Sequence, residues 1–128
     1  MKSVDTILKR GHFILIYPEQ SMWFNYKKPK PLQNGAFRIA AKSNVPIIPI
    51  FITFEDSSVI GEDGIPVQEY TVHIEKPIYA DKKLSLKENE NYLKDKNYEI
   101  WKNIYENFYN TKLEYITENK EIEAVNGK

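Results

Sequence analysis

The chain has 128 residues, enough for one domain with a real core and little more. Its 18 basic and 18 acidic residues cancel, which argues against a dedicated nucleic-acid binder, and the absence of cysteine excludes disulfides, thiolate catalysis and cysteine-based zinc sites. The charge is uneven, however: up to Lys42 there are 8 basic and 2 acidic residues (+6), and from Ser43 onward 10 basic and 16 acidic (−6), so the first third attracts anions or an anionic membrane surface.

Taken in order, residues 2–10 place Val4, Ile7 and Leu8 on one helical face and end in Lys9, Arg10 and Gly11, which predicts a short helix with a glycine C-cap. Phe13 to Ile16 are consecutive apolar residues, the pattern of a strand buried on both faces, and Tyr17-Pro18 ends it. Glu19 then falls in the turn where a strand stops, a place where open α/β sheets gather ligands. A solvated turn residue, or one capping a neighbouring amide, gives the same pattern. The loop from 18 to about 33 holds three prolines and the cluster Lys27-Lys28-Pro29-Lys30, and loops of that length are usually functional or mobile.

Asn34 is placed to cap a helix from Gly35 to Ser43 whose Ala36, Phe37, Ala40 and Ala41 form a face suited to packing on a sheet, with Asn44 ending it. Val45 to Phe54 reads as a second buried strand, although Pro46 and Pro49 each delete a ladder donor. Strand, helix and strand predict a right-handed βαβ unit in which the loop after Tyr17 shares a crevice with Thr53 to Asp56. Glu62-Asp63-Gly64 is a turn signal, and Val67 to Pro77 alternates as a strand with one wet face. Ser85 and Glu88 form a capping box, and Tyr98 to Leu113 carries an apolar helical stripe of Ile100, Trp101, Ile104, Tyr105, Phe108 and Tyr109. No apolar run approaches the roughly 20 residues that span a bilayer, so the chain reads as soluble or at most peripheral.

Two histidines are present, His12 and His73, and neither is followed five positions on by an acid: Tyr17 and Ile78 stand there. His73 reads as an exposed strand residue, and His12 lies at the end of its strand away from the ligand crevice. Lys27, Lys28 and Lys30 suit a phosphate on a proline-stiffened loop, or simply make that loop basic and solvated. Trp23, Phe24 and Tyr26 interleave with them, as in a single-strand stacking platform, an interfacial membrane anchor, or a lid over the core. Ser21 lies outside any G-x-S-x-G elbow, so nothing marks it as a nucleophile.

Three stretches in order, Tyr17-Pro18-Glu19-Gln20-Ser21-Met22-Trp23, Gln33-Asn34-Gly35-Ala36-Phe37 and Val45-Pro46-Ile47-Ile48-Pro49-Ile50, resemble the phospholipid/glycerol acyltransferases that convert lysophosphatidic acid to phosphatidic acid. The resemblance is close over about residues 5–55. It implies that Pro18, Glu19, Gln20 and Ser21 bind the acceptor, with Glu19 positioning the glycerol phosphate. Gly35 and Pro46 match the family's helix-start glycine and the first proline of its last motif. Met22 stands where many members have a phosphate-binding arginine, and Lys27, Lys28 or Lys30 are the substitutes that charge suggests.

The family's base, a His separated by four residues from an Asp, lies upstream of the Pro-Glu motif and is not in these 128 residues. No catalytic residue is therefore expected in this chain. The expectation is an α/β fold: a C-terminal portion of the acyltransferase domain over 1–116, with a mixed sheet, a βαβ unit and a C-terminal amphipathic helix, then a polar, frayed tail over 117–128. The resemblance also implies no cofactor, an acyl-CoA or acyl-carrier-protein thioester as co-substrate, lysophosphatidic acid as acceptor, and a cytoplasmic location at the inner face of the cell membrane. The alternative is a stand-alone module that binds anionic lipid or nucleic acid through loop 22–30. A strand at 13–17 without its partner would leave an apolar edge and promote self-association.

Overall fold

The structure, a computed structural model, describes residues 2–19 and 26–114. Helix α1 (Lys2–Lys9) ends where expected: Gly11 adopts φ +80°, its N–H reaches Leu8 O at 3.0 Å and the His12 N–H reaches Ile7 O at 3.3 Å, a Schellman closure. Helix α2 (Gly35–Ser43) is closed by left-handed Asn44, whose N–H returns to the carbonyls of Ala40 and Ala41. Asp5 ties the two helices, since Lys9 and then the Ser43 hydroxyl bond its carboxylate and hold its pKa below the ordinary value.

Strands β1 (Ile50–Ile60) and β2 (Pro66–Ile74) form an antiparallel pair in which Ile52 faces Val72 and Phe54 faces Tyr70. An irregularity between Asp56 and Ile60, where the Val59 N–H turns back to Ser57 Oγ, precedes the tight turn at Gly61–Ile65. The prolines act as their missing donors require: Pro49 contributes only its carbonyl, to Glu75 N at 3.0 Å, and Ile47 between the prolines makes a lone bridge to Ile78.

Helix α3 (Leu86–Tyr109) starts at the expected capping box, with Glu88 N donating to Ser85 Oγ at 3.2 Å and Ser85 N to Glu88 Oε2 at 3.3 Å. It continues unbroken through the predicted stripe to left-handed Asn110. Two apolar clusters lie along it. Phe37 and Ala40 of α2 pack with Leu93 and Ile78, and Phe51 of β1 packs with Trp101 and Tyr105; Leu32 touches both.

The fold is thus mixed α/β with a long C-terminal helix, as expected, but its pairing differs from expectation. Residues 12–17 form no strand with any described residue, and Phe13 is 86% exposed. The predicted βαβ unit and its parallel sheet are therefore absent among the described residues, and the sheet is one antiparallel hairpin. An apolar run specifies burial, not its partner, and no described strand lies beside this one. With no sheet spanning 13–17, the alanine face of α2 packs on α3 instead. The tail from Thr117 lies outside the described residues.

Candidate functional site

The Pro18–Glu19 turn, half-buried, is pinned to the start of α2 by Gln33 N donating to Pro18 O at 2.8 Å. That bond closes the neck of the 18–33 loop and sets the Tyr17-Pro18-Glu19 stretch against the Gln33–Phe37 stretch. The third stretch joins them through the core, where Val45 and Ile47 pack against Phe37 and Ala40. The first-turn amides of α2 begin two residues after Gln33. Asn34 does not cap those amides. Its backbone is right-handed helical rather than extended, and its Oδ1 instead accepts from Lys94 Nζ of α3 at 2.8 Å.

Lys94 thus stands beside Asn34, and nothing in the sequence pointed to it, because its partner lies 60 positions away. One turn into α2, Arg38 reaches Glu90 of α3 at 3.4 Å. Burial pushes the Glu90 carboxyl up, but Arg38 and Lys87 outweigh it and its pKa falls below the ordinary value.

From Asn34 back to Tyr26 the chain runs antiparallel along α3. Asn34 meets Lys94, Leu32 meets Trp101, Tyr26 lies by Tyr98 and Tyr105, and Lys27 Nζ sits 5.3 Å from the Tyr109 ring and 5.5 Å from the Phe54 ring. Burial, then the two neighbouring tyrosines, pushes the Tyr26 phenol up. Lys28 donates to the backbone carbonyl of Glu114. Lys30 is 7% exposed, and Pro29 beside it is fully buried.

The predicted site residues are therefore split between two places. Lys94 and Tyr109 are 15 residues apart on one helix, on the order of 20 Å at 1.5 Å per residue. Pro18 and Glu19 stand near the first, Lys27 and Lys28 near the last. The structure does bring Lys27 of the basic loop to the Phe54 end of β1, as the shared-crevice expectation had it. Gln20, Ser21, Met22, Trp23 and Phe24 lie outside the described residues.

His73 departs from the exposed strand residue expected of it. It is half-buried, with Nε2 2.8 Å from Thr53 Oγ1 and its ring edge-on to Phe108. Its face of the sheet is the one α3 covers, which period-2 alternation alone leaves undecided. His12 is exposed. Tyr109 Oη both accepts from Phe54 N at 2.9 Å and donates to Phe54 O at 3.0 Å, occupying the free edge of β1 as a neighbouring strand would.

Compared with known families, residues 1–53 match the acyltransferase family model. The acyltransferase match takes in all three motif stretches, both elements that form the neck around Glu19, and the first residues of β1. The match covers less than half of the 128 residues and is a likeness to that family over this stretch. No curated protein and no solved structure matches the chain. Among the described residues, no helix is long and apolar enough to cross a membrane, and no group of three or more His, Asp or Glu residues is placed to hold a metal ion.

Proposed function

We propose that this chain is the acceptor-binding part of a 1-acylglycerol-3-phosphate O-acyltransferase, working at the inner face of the cell membrane, and that it does not transfer acyl groups alone. The observation that carries this reading is the neck, where the Pro18–Glu19 turn and the start of α2 meet within the acyltransferase match. In the reaction a glycerol hydroxyl loses its proton to a base, its oxygen bonds to the acyl carbon of a thioester, and the thiolate leaves. Neither histidine is followed five positions on by an acid, and His73 is turned to Thr53 and Phe108. The base then comes from outside these 128 residues.

On this reading Glu19 holds the acceptor hydroxyl, and the acceptor phosphate meets the first turn of α2 with Lys94 beside it. The Lys27–Lys28 end, some 20 Å along α3, suits a second anion such as a lipid headgroup of the surrounding leaflet. The test is calorimetric titration with lysophosphatidate in zwitterionic detergent. Glu19→Gln and Lys94→Met are expected to weaken binding about tenfold each, as for a lost charge-assisted hydrogen bond, whereas Lys27→Ala leaves it within twofold. Wild-type binding unchanged by Glu19→Gln and Lys94→Met sinks the reading. Acyl transfer by the purified chain from an acyl-CoA would sink the claim that it needs an external base.

The basic loop also admits the reading of a stand-alone anionic-lipid or nucleic-acid module, favoured by exposed Lys27 at the edge of two aromatic rings. Salt-sensitive sedimentation with anionic vesicles, lost in Lys27→Ala/Lys28→Ala while lysophosphatidate binding is absent, would prefer it. Strong oligonucleotide binding at the same ionic strength would point to nucleic acid.

A further inference from the structure

Two apolar surfaces of this chain are left open, and they complement each other. One is the sheet face away from α3. The register puts Ile50, Ile52 and Phe54 of β1 opposite Ile74, Val72 and Tyr70 of β2, all on that face, and every one but Phe54 is exposed, Ile74 at 68%. Among the described residues its charges lie at one end, where Asp56 accepts from Gln68 Nε2 at 2.6 Å and Lys27 sits over Phe54, so Ile50, Ile52, Val72 and Ile74 form an uncharged part with a polar end. The other is residues 12–17, outside any strand, where Phe13, Leu15 and Tyr17 recur at every second position and are each at least two-thirds exposed.

Charge decides between the candidate occupants. Residues 50–76 carry six acids and one lysine, net −5, which disfavours an anionic bilayer or a polyanion. Residues 1–17 carry three basic residues and one acid, net +2. The exposed stripe thus comes with the charge the hairpin attracts, and within one molecule the two surfaces do not meet, since both are open. Covering one with the other removes on the order of 1,000 Å² from water, the size at which specific interfaces begin, and a two-fold dimer makes that contact twice.

We infer that residues 12–17 of one copy of this chain lie on the apolar sheet face of a second copy. The contact is between unlike patches, and that gives it a distinctive test. Phe13→Ser/Leu15→Ser spoils the stripe. Ile52→Lys/Val72→Glu spoils the face while keeping an attractive cross-strand pair that preserves the hairpin. In sedimentation velocity on the full chain, wild type is expected to self-associate in the micromolar range. Each double variant alone should associate at least about tenfold more weakly, with unchanged circular dichroism. Mixing the two should restore a complex, because the intact stripe of one meets the intact face of the other.

Continued association of the Phe13→Ser/Leu15→Ser variant alone would mean that the sheet faces pair with each other and would overturn the inference. So would a wild type that stays monomeric, whether or not it sediments with phosphatidylcholine vesicles, and so would variants that fail to complement on mixing. None of these outcomes bears on lysophosphatidate binding at the neck.

Discussion

Tyr109 shows how one side chain closes an element. Its hydroxyl exchanges two hydrogen bonds with the Phe54 backbone, and burial is the main reason its phenol is pushed up in pKa. Tyr109→Phe strands one donor and one acceptor on a part-buried strand edge, so chemical denaturation should find it less stable by about 1–3 kcal/mol. Glu90 gives a pH signature of the opposite kind. Its folded pKa lies below the ordinary 4.5, so its contribution is complete above that value and is lost as pH falls through the folded value. The melting temperature of wild type should therefore drop on acidification below about pH 4.5 more steeply than that of Arg38→Met, in which the strongest attraction is already gone. At the same scale, Lys94 and His73 escaped the sequence because their partners, Asn34 and Thr53, are set by packing between elements rather than by spacing within one.

Among the elements, the helix ends were the most legible, because a cap is a local bargain between neighbouring side chains and amides. Gly11, Asn44 and the Ser85–Glu88 box all do what their residue types suggest. Asn34 is the instructive exception, and it yields a paired prediction. Ser85→Ala should destabilise the protein by about 1 kcal/mol through α3 fraying, visible as faster amide exchange at residues 88 and 89. Asn34→Ala should leave exchange at the start of α2 nearly unchanged and instead loosen the neck, with faster exchange at Gln33. The apolar segment 12–17 went the other way: its composition demanded a strand, but a strand is completed only by a neighbour, and the described residues provide none.

Among the described residues of the molecule, two small clusters are strung along α3, with the 26–34 segment lying over their junction. Leu32 belongs to both clusters, so Leu32→Ala should cost about 2 kcal/mol and lower the unfolding cooperativity along with the midpoint, measured as the slope of the urea transition. The sequence by itself determined the helices and most of their ends, the turn at 62–64, the stripe of α3 and the motif set that resembles acyltransferases, because each of these rests on residues near one another in the chain. Only the tertiary structure decided that α2 packs on α3, that Lys94 stands at the Glu19 neck while Lys27 and Lys28 stand some 20 Å away, and that one sheet face and residues 12–17 are left uncovered. Those outcomes depend on which apolar surface finds which other, and the alternation of residue types along a chain specifies a surface without naming the one that will cover it.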